Sequence, residues 1–267
     1  MTPIRLFVKS NMENDTSEST RNVGSAKVLS GRIFVFSIFV GPTSDPWKPA
    51  DVERQKQKVF EAERWLKMQA LRYGKHVEFE NCAFGSDGSF IDNGMPESSR
   101  SVGAYFYPGK MLLKMGYRSF DAIIEWVRNN TGCTQCLAIV FTNTYGRSFA
   151  CHVNKELYRY NPHLFCLECC IIYKGFGPDY EESGAATIAH EMLHLFGAWD
   201  LYELDEEDSV RAKKTAIMFP KSIMNCKGRT IWHMQIDEIT AWLVGLREEG
   251  KDWYRWFEPH QEEYLCV

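Results

Sequence analysis

The sequence predicts an α/β fold in which a mainly parallel, twisted sheet is packed with helices, followed by a smaller, mostly helical C-terminal subdomain. Short apolar runs, of the length typical of buried strands, alternate with amphipathic helical segments, and this alternation favours parallel strands joined by helices. The chain has 267 residues, of which 45% are hydrophobic and 14% aromatic, so it can bury a substantial core. Towards the C-terminus the pattern becomes helical and rich in tryptophan.

The spacing of apolar residues predicts the first strands and the first helix. Residues 33–40 form an almost uninterrupted apolar run that ends at Gly41, which indicates a buried strand. Residues 50–73 place apolar side chains three, four or seven positions apart, as one face of an amphipathic helix requires, and Gly74 is a suitable stop. Residues 76–80 alternate in polarity and predict a second strand.

The middle of the chain has weaker signals. Residues 84–116 are rich in Gly, Ser and Pro, and we expect a long excursion without regular structure there. Ser119 is expected to cap a helix that runs to residue 130 and has Trp126 among its largely buried residues. Three further segments complete the predicted sheet: a strand at 137–141, a short edge strand at 146–150 and a strand at 169–173.

We expect three parts in the domain organisation. Residues 1–25 contain a polar tract without a hydrophobic period and are expected to form a flexible tail. Residues 26–200 are predicted to form the main α/β subdomain, and residues 201–267 the smaller C-terminal one. The charged run at 203–208 is expected to be a solvated loop, with control of access to a cleft or partner binding as the alternative.

Charge and hydropathy limit the classes of partner. A net charge of −4 gives no reason to expect nucleic acid or an anionic membrane as a partner. No apolar stretch approaches the roughly 18–20 residues that a membrane helix needs. No signal peptide is visible near the N-terminus, so we expect a cytoplasmic protein.

The nine cysteines are expected to be reduced thiols, because an odd number cannot all pair within one chain and the cytosol keeps thiols reduced. Cys133 and Cys136 form one C-x-x-C pair, and Cys166 and Cys169 form another. Together they suggest a four-thiolate zinc site as an alternative to buried thiols. The gap between the pairs is longer than usual and each pair adjoins a predicted strand, so buried thiols are favoured.

The most informative segment contains His190, Glu191 and His194. On a helix, the two histidines are four positions apart and lie on one face about one turn apart, so both imidazoles can bind one metal ion. Glu191 sits beside that face, where its carboxylate can take a proton from a water molecule without being a ligand. The spacing predicts a metal centre with a general base; two ordinary histidines on an amphipathic helix are the alternative.

Asp200 is the candidate for a third ligand. In a continuous helix it would lie about 15 Å beyond His190, far from an ion whose ligands are about 2 Å away. It reaches that ion only if the helix ends and the chain turns back, and Gly197 stands where such a turn needs a left-handed residue. Three protein ligands and an open fourth position are typical of a catalytic zinc site, so we expect one catalytic Zn²⁺.

The pattern HExxHxxGxxD at residues 190–200 resembles the extended zinc motif of the metzincin clan of metallopeptidases, in the form with aspartate as third ligand found in snapalysin-like enzymes. The segment Ser-Ile-Met-Asn that contains Met224 is similar to the methionine-containing turn beneath the metal in this clan. The order of strands and helices is also similar. The resemblance therefore extends over about residues 30–247, although only the motif and the turn are specific.

The resemblance implies a metzincin-like zincin fold and a zinc-dependent endopeptidase that acts on a protein or peptide substrate. His190, His194 and Asp200 would hold one catalytic Zn²⁺, Glu191 would be the general base, and Met224 would be the structural methionine of the turn. Most members of the clan have histidine at the third position, and aspartate there leaves the ion less positive, which weakens it as a Lewis acid.

Two details of the resemblance stay open at this stage. No tyrosine directly follows the turn, so Tyr202 and His233 are the candidates for stabilising the transition state, with simple packing as the alternative for each. No cysteine-switch motif is apparent in the sequence, so we do not expect latency by that route. An intracellular peptidase needs restraint, by a narrow substrate range or by a regulatory protein partner.

Two other functions compete with the peptidase. One is a metzincin-like zinc protein that binds or regulates a partner without cleaving it, and the presence of Glu191 argues against this because a binding module needs no base. The other is a zinc amidohydrolase that acts on a non-peptide amide, since the chemistry of the site does not select the acyl substrate.

Overall fold

The computed structural model describes residues 24–92, 95, 102–151, 167–202, 209–225 and 230–258. Five strands form one sheet in the order β2-β1-β3-β5-β4. All neighbours are parallel except β4, which is antiparallel to β5 at the edge. The strands are β1 (Gly31–Val40), β2 (Val77–Phe84), β3 (Gln135–Thr142), β4 (Phe149–Cys151) and β5 (Cys169–Ile172). The predicted α/β class, the mainly parallel sheet and the short edge strand are therefore confirmed.

Six α-helices accompany the sheet in the described part of the chain. They are α1 (Pro49–Arg72), α2 (Val102–Lys114), α3 (Phe120–Thr131), α4 (Ala185–Leu195), α5 (Ser209–Met218) and α6 (Glu238–Leu243). Short 3₁₀ helices occur at Ile223–Asn225, Ile231–His233 and Asp252–Phe257. Beyond residue 201, the described residues contain helices and no strand of the sheet.

The sheet has a buried hydrophobic cluster on each face, which explains why its strands are apolar at almost every position. On one face, alternate residues of β1 such as Val35 and Phe39 pack with α1, α4 and the C-terminal elements. On the other face, Phe36 and Ile38 pack with α2 and α3. The helix α4 is therefore held inside the molecule, between the sheet and the C-terminal elements.

The helix α2 lies where the sequence analysis expected irregular structure, so that expectation is wrong. Pro108 and Gly109 within the segment hide its helical character, because both residues disfavour helices in isolation. Buried packing of Met111 and Leu112 against the sheet outweighs this local preference.

The helix α3 begins as predicted, with the Ser119 hydroxyl accepting a hydrogen bond from the Ala122 N–H at 3.2 Å. The expected burial of Trp126 is wrong, because its side chain is 38% exposed. Ile123 and Val127, four residues apart, occupy the inward face, and Trp126 lies at its flank with an edge contact to Phe34.

None of the helices in the described segments combines the length and the apolar character that crossing a membrane requires.

Six cysteines lie within the described segments, and all are free thiols: Cys82, Cys133, Cys136, Cys151, Cys169 and Cys170. Cys166, the remaining member of the suggested four-thiolate site, lies outside the described residues. Burial raises the pKa of the Cys82 thiol to about 12, as expected for a thiol that behaves as a small hydrophobic side chain.

Glu63 is a buried carboxyl group on α1 that makes the stability of the fold depend on pH. Its side chain is 5% exposed and accepts a hydrogen bond from Asn81 at 2.9 Å. Burial raises the pKa of Glu63 to about 7, against smaller opposing effects of Asn81 and Lys67. The folded state therefore favours the protonated carboxyl group of Glu63. The stability that this group contributes is complete below about pH 4.5 and is lost as the pH rises through 7.

We expect Glu63→Gln to stabilise the protein at pH 8 by about 2–3 kcal/mol and to have little effect at pH 4.5, because glutamine resembles the neutral acid and needs no ionisation. Urea unfolding at both pH values measures this difference. Glu53→Gln, on the exposed side of the same helix, is the control and should change stability little at either pH. Equal effects of Glu63→Gln at the two pH values would contradict this explanation.

Candidate metal centre

The N-terminal end of α4 is fixed to α1 by polar contacts. The Lys58 ammonium donates a hydrogen bond to the Ser183 carbonyl at 2.8 Å, and Glu182 forms ion pairs with Arg54 and Lys58 at 3.1 and 2.9 Å. Gly184 is the N-cap, and almost the whole helix that follows is buried. The position of the helix is therefore determined by both packing and charge.

The C-terminal end of α4 turns back at Gly197, as the motif spacing predicted. Gly197 has a φ of 97°, in the left-handed region that favours glycine. The Gly197 N–H bonds to the His194 carbonyl at 2.9 Å, and the Ala198 N–H bonds to the Leu193 carbonyl at 3.1 Å. This is the Schellman pattern of helix termination, and it directs the following residues back towards the helix.

The turn brings Asp200 to the two histidines. The Nε2 atoms of His190 and His194 are 3.1 Å apart, and Asp200 Oδ1 lies 3.1 Å from the first and 3.2 Å from the second. Glu191 offers a carboxylate oxygen within 4.8 Å of both imidazole ligand atoms. All four predicted site residues are thus brought together, and the buried group of His190, Glu191 and His194 can hold a metal ion.

Backbone carbonyls determine which nitrogen of each histidine faces the centre. His190 Nδ1 lies 3.0 Å from the Ile223 oxygen, and His194 Nδ1 lies 2.8 Å from the Ala198 oxygen. A carbonyl oxygen only accepts hydrogen bonds, so each Nδ1 must carry a proton and donate it. In the neutral imidazoles, both Nε2 lone pairs therefore point at the centre, as metal ligation requires.

The charges of the three groups also favour a cation. Asp200 Oδ1 is buried and faces the two Nε2 atoms, although neither contact has the geometry of a hydrogen bond. Burial raises the pKa of Asp200, but the imidazoles of His194 and His190 outweigh burial and hold it well below its usual range. Burial lowers the pKa of His194, but the Asp200 carboxylate outweighs it and the net value rises to about 9. A cation bound by these atoms would take the place of the proton on the His194 imidazole.

Glu191 lies beside the two histidines, and the pKa of its carboxyl group changes in the opposite direction to that of Asp200. Burial raises the pKa of its carboxyl group, and the nearby imidazoles of His190 and His194 oppose this effect. A carboxylate with a raised pKa is a better proton acceptor near neutral pH than an ordinary glutamate. The position and the pKa of Glu191 are therefore suited to a general base.

The segment that contains Met224 lies directly beneath His190. Its neighbour Ile223 supplies the carbonyl that fixes His190, and the Met224 carbonyl accepts a hydrogen bond from the Leu201 N–H at 2.9 Å. The Met224 side chain is fully buried. Ser222 anchors the turn, because its hydroxyl donates to Asp237 at 2.6 Å and accepts from the Met224 N–H at 3.1 Å. The structure therefore places this segment in direct contact with His190.

Of the two candidate transition-state stabilisers, Tyr202 lies at the centre and His233 does not. Its ring stacks on His190 with ring centroids 6.1 Å apart and an interplanar angle of 28°. Its hydroxyl accepts a hydrogen bond from Arg147 at 2.6 Å. His233 is exposed on a 3₁₀ helix and has no described contact with the centre.

Sequence reasoning missed two contributions to the centre. Arg147 was not a candidate, because it belongs to a loop before β4 and no local pattern connects it with the motif. The carbonyls of Ile223 and Ala198 were also missed, since backbone groups leave no residue-type signal.

Comparison with protein-family models gives no match to this chain, and a search of curated proteins finds none with significant similarity. The interpretation of the centre therefore depends on its residues and geometry.

Proposed function

We propose that the protein is a zinc-dependent endopeptidase of the metzincin type. The observation on which the proposal depends is the triangle formed by His190 Nε2, His194 Nε2 and Asp200 Oδ1, with sides of 3.1–3.2 Å. Ligands of a tetrahedral zinc ion with bonds of about 2.0–2.1 Å are about 3.3–3.4 Å apart, so the triangle is close to the size that zinc needs. Three protein ligands leave a fourth position open for chemistry.

Three features of the fold support the metzincin type over an unrelated zinc protein. The mainly parallel sheet ends in an antiparallel edge strand, the site helix packs on it, and the Met224 segment lies below the histidines. The HExxHxxGxxD pattern accounts for the turn at Gly197. Together they agree with the arrangement that the resemblance implies.

The proposed reaction divides tasks between the metal and Glu191. A zinc ion at this position would supply Lewis acidity, which lowers the pKa of water and polarises a carbonyl group. Glu191 takes the proton from the attacking water and transfers it to the nitrogen of the leaving amine as the C–N bond breaks. Burial of Glu191 keeps its carboxyl group suited to both steps.

The edge strand β4 is suited to binding an extended peptide. It pairs with β5 on one side and is the last strand of the sheet, so its other edge faces no strand among the described residues. Backbone groups on such an edge can add a substrate as a further strand. This placement favours a peptide over a small non-peptide amide as substrate.

The experiment that tests the proposal is incubation of the zinc-loaded protein with a denatured protein mixture, with and without a chelator, followed by identification of new N-termini. We expect chelator-sensitive cleavage that returns when zinc is restored. Zinc binding without cleavage would favour a non-proteolytic zinc protein. Hydrolysis of small amides alone would favour an amidohydrolase.

Tyr202 is proposed to stabilise the negative charge that develops on the substrate oxygen. We expect Tyr202→Phe to lower kcat about 100-fold, which is typical when one such donor is removed, and to leave KM and zinc content nearly unchanged. Steady-state kinetics on a peptide that the parent cleaves measures this effect. The matched control is Tyr180→Phe, because Tyr180 is exposed on the loop before α4. Equal activity of Tyr202→Phe and the parent would remove Tyr202 from the mechanism.

A further inference from the structure

Arg147 is a charged group at the centre to which the mechanism so far gives no task. It lies two residues before β4, and its Nη2 donates a hydrogen bond to the Tyr202 hydroxyl at 2.6 Å. Its guanidinium is also close enough to Asp200 and Glu191 for their charges to influence it. Arg147 thus extends the centre beyond its ligands and base.

The residues on both sides of Arg147 are hydrogen-bonded to the segment that follows β5. The Gly146 N–H bonds to the Gly175 carbonyl at 2.8 Å, and the Ser148 hydroxyl accepts a hydrogen bond from the Tyr173 N–H at 3.1 Å. A Cβ at Gly146 would lie 2.6 Å from the Tyr173 ring, so this close approach requires glycine. The chain is therefore held in place on both sides of Arg147.

The contact with Arg147 decides what the Tyr202 hydroxyl can do. A guanidinium only donates, so the phenol oxygen accepts this bond and keeps its own proton. Within the described part of the chain, no residue accepts a hydrogen bond from that hydroxyl. The ring stacks on His190, so Tyr202 lies beside the candidate metal centre, and its hydroxyl keeps a proton available for a third group.

We propose that Arg147 is a positioning residue that directs the Tyr202 hydroxyl towards the oxygen that gains negative charge beside the metal. The inference depends on the proposed function and adds a residue to it. A hydroxyl that accepts a bond from a cation is a stronger donor, because hydrogen bonds in a chain polarise one another. Arg147 therefore acts through Tyr202 and needs no contact with the substrate.

The test uses binding of two probes to the zinc-loaded protein, measured by titration calorimetry. One probe is an acetylated alanine tetrapeptide with a phosphinate group in place of the central amide, which mimics the tetrahedral, anionic transition state. The other is acetyl-Ala-Ala hydroxamate, which chelates zinc without that charge distribution. We expect Arg147→Ala to weaken phosphinate binding about 10-fold and to change hydroxamate binding less than 2-fold.

A double variant distinguishes positioning from a general effect of charge. If Arg147 acts through Tyr202, Arg147→Ala combined with Tyr202→Phe binds the phosphinate as weakly as Tyr202→Phe alone. Lys174→Ala is the matched control, because Lys174 lies over the ring of Tyr145 in the same pair of loops, and none of its described contacts involves Tyr202. This control should change neither affinity, and Arg147→Lys should recover part of the loss.

Each other outcome contradicts a defined part of the inference. Independent effects in the double variant, or equal losses for both probes, would show that Arg147 does not act through Tyr202. Phosphinate binding with the expected losses, in a protein that cleaves no peptide, would overturn the peptidase and support the role of Arg147. A zinc-loaded parent that binds neither probe would contradict both.

Discussion

Glu191→Gln is expected to lower chelator-sensitive peptide hydrolysis by about 1,000-fold or more while zinc remains bound. A general base contributes about 100- to 10,000-fold, and the glutamine amide can neither take the proton from water nor pass it to the leaving amine. The substitution keeps the size of the side chain and removes a buried acid, so the fold should not suffer. Single-turnover kinetics together with metal analysis measures both properties of the same sample.

The control for Glu191→Gln is Asp179→Asn, because Asp179 is an exposed carboxylate on the loop that precedes α4. This variant should cleave as fast as the parent. Hydrolysis by Glu191→Gln at the parent rate would show that another group takes the proton, and the mechanism would be wrong even if zinc is present.

Asp200→Ala is expected to weaken zinc binding by more than about 100-fold. His190 and His194 alone give two ligands, fewer than the three protein ligands of catalytic zinc sites, and the charge that balances the ion is lost. Competition with a chelator of known affinity gives the zinc affinity, and thermal unfolding of the apoprotein reports the fold. Asp200→Asn keeps the shape of the side chain and separates loss of charge from loss of packing.

Unchanged zinc content in both Asp200 variants would remove Asp200 from the ligand set. In that case its 3.1 and 3.2 Å contacts with the imidazoles would be those of a simple ion pair. The variants therefore decide between the two explanations of the same geometry.

The grouping of His190, Glu191, His194 and Asp200 was largely predictable from the sequence because it follows from chain geometry. Two histidines four residues apart must share a helix face, and Asp200 can join them only after a turn. The left-handed Gly197 supplies that turn in the structure. Local spacing therefore predicted that these three side chains meet, without knowledge of the rest of the fold.

The parts that were missed depend on contacts between distant segments. The helix α2 has unfavourable local composition and forms because its apolar face meets the sheet. Arg147 reaches the centre only because β4 pairs antiparallel with β5 at the sheet edge. Neither the register of that pair nor the close approach at Gly146 leaves a periodic signal in the sequence.

Zinc K-edge X-ray absorption of the purified protein tests the central claim most directly. We expect one zinc ion per chain with nitrogen and oxygen neighbours at about 2.0–2.1 Å, two of them imidazoles, and no sulfur. The Asp200→Ala protein should lose this signal. Absence of zinc, or sulfur neighbours at about 2.3 Å, would contradict a centre formed by His190, His194 and Asp200.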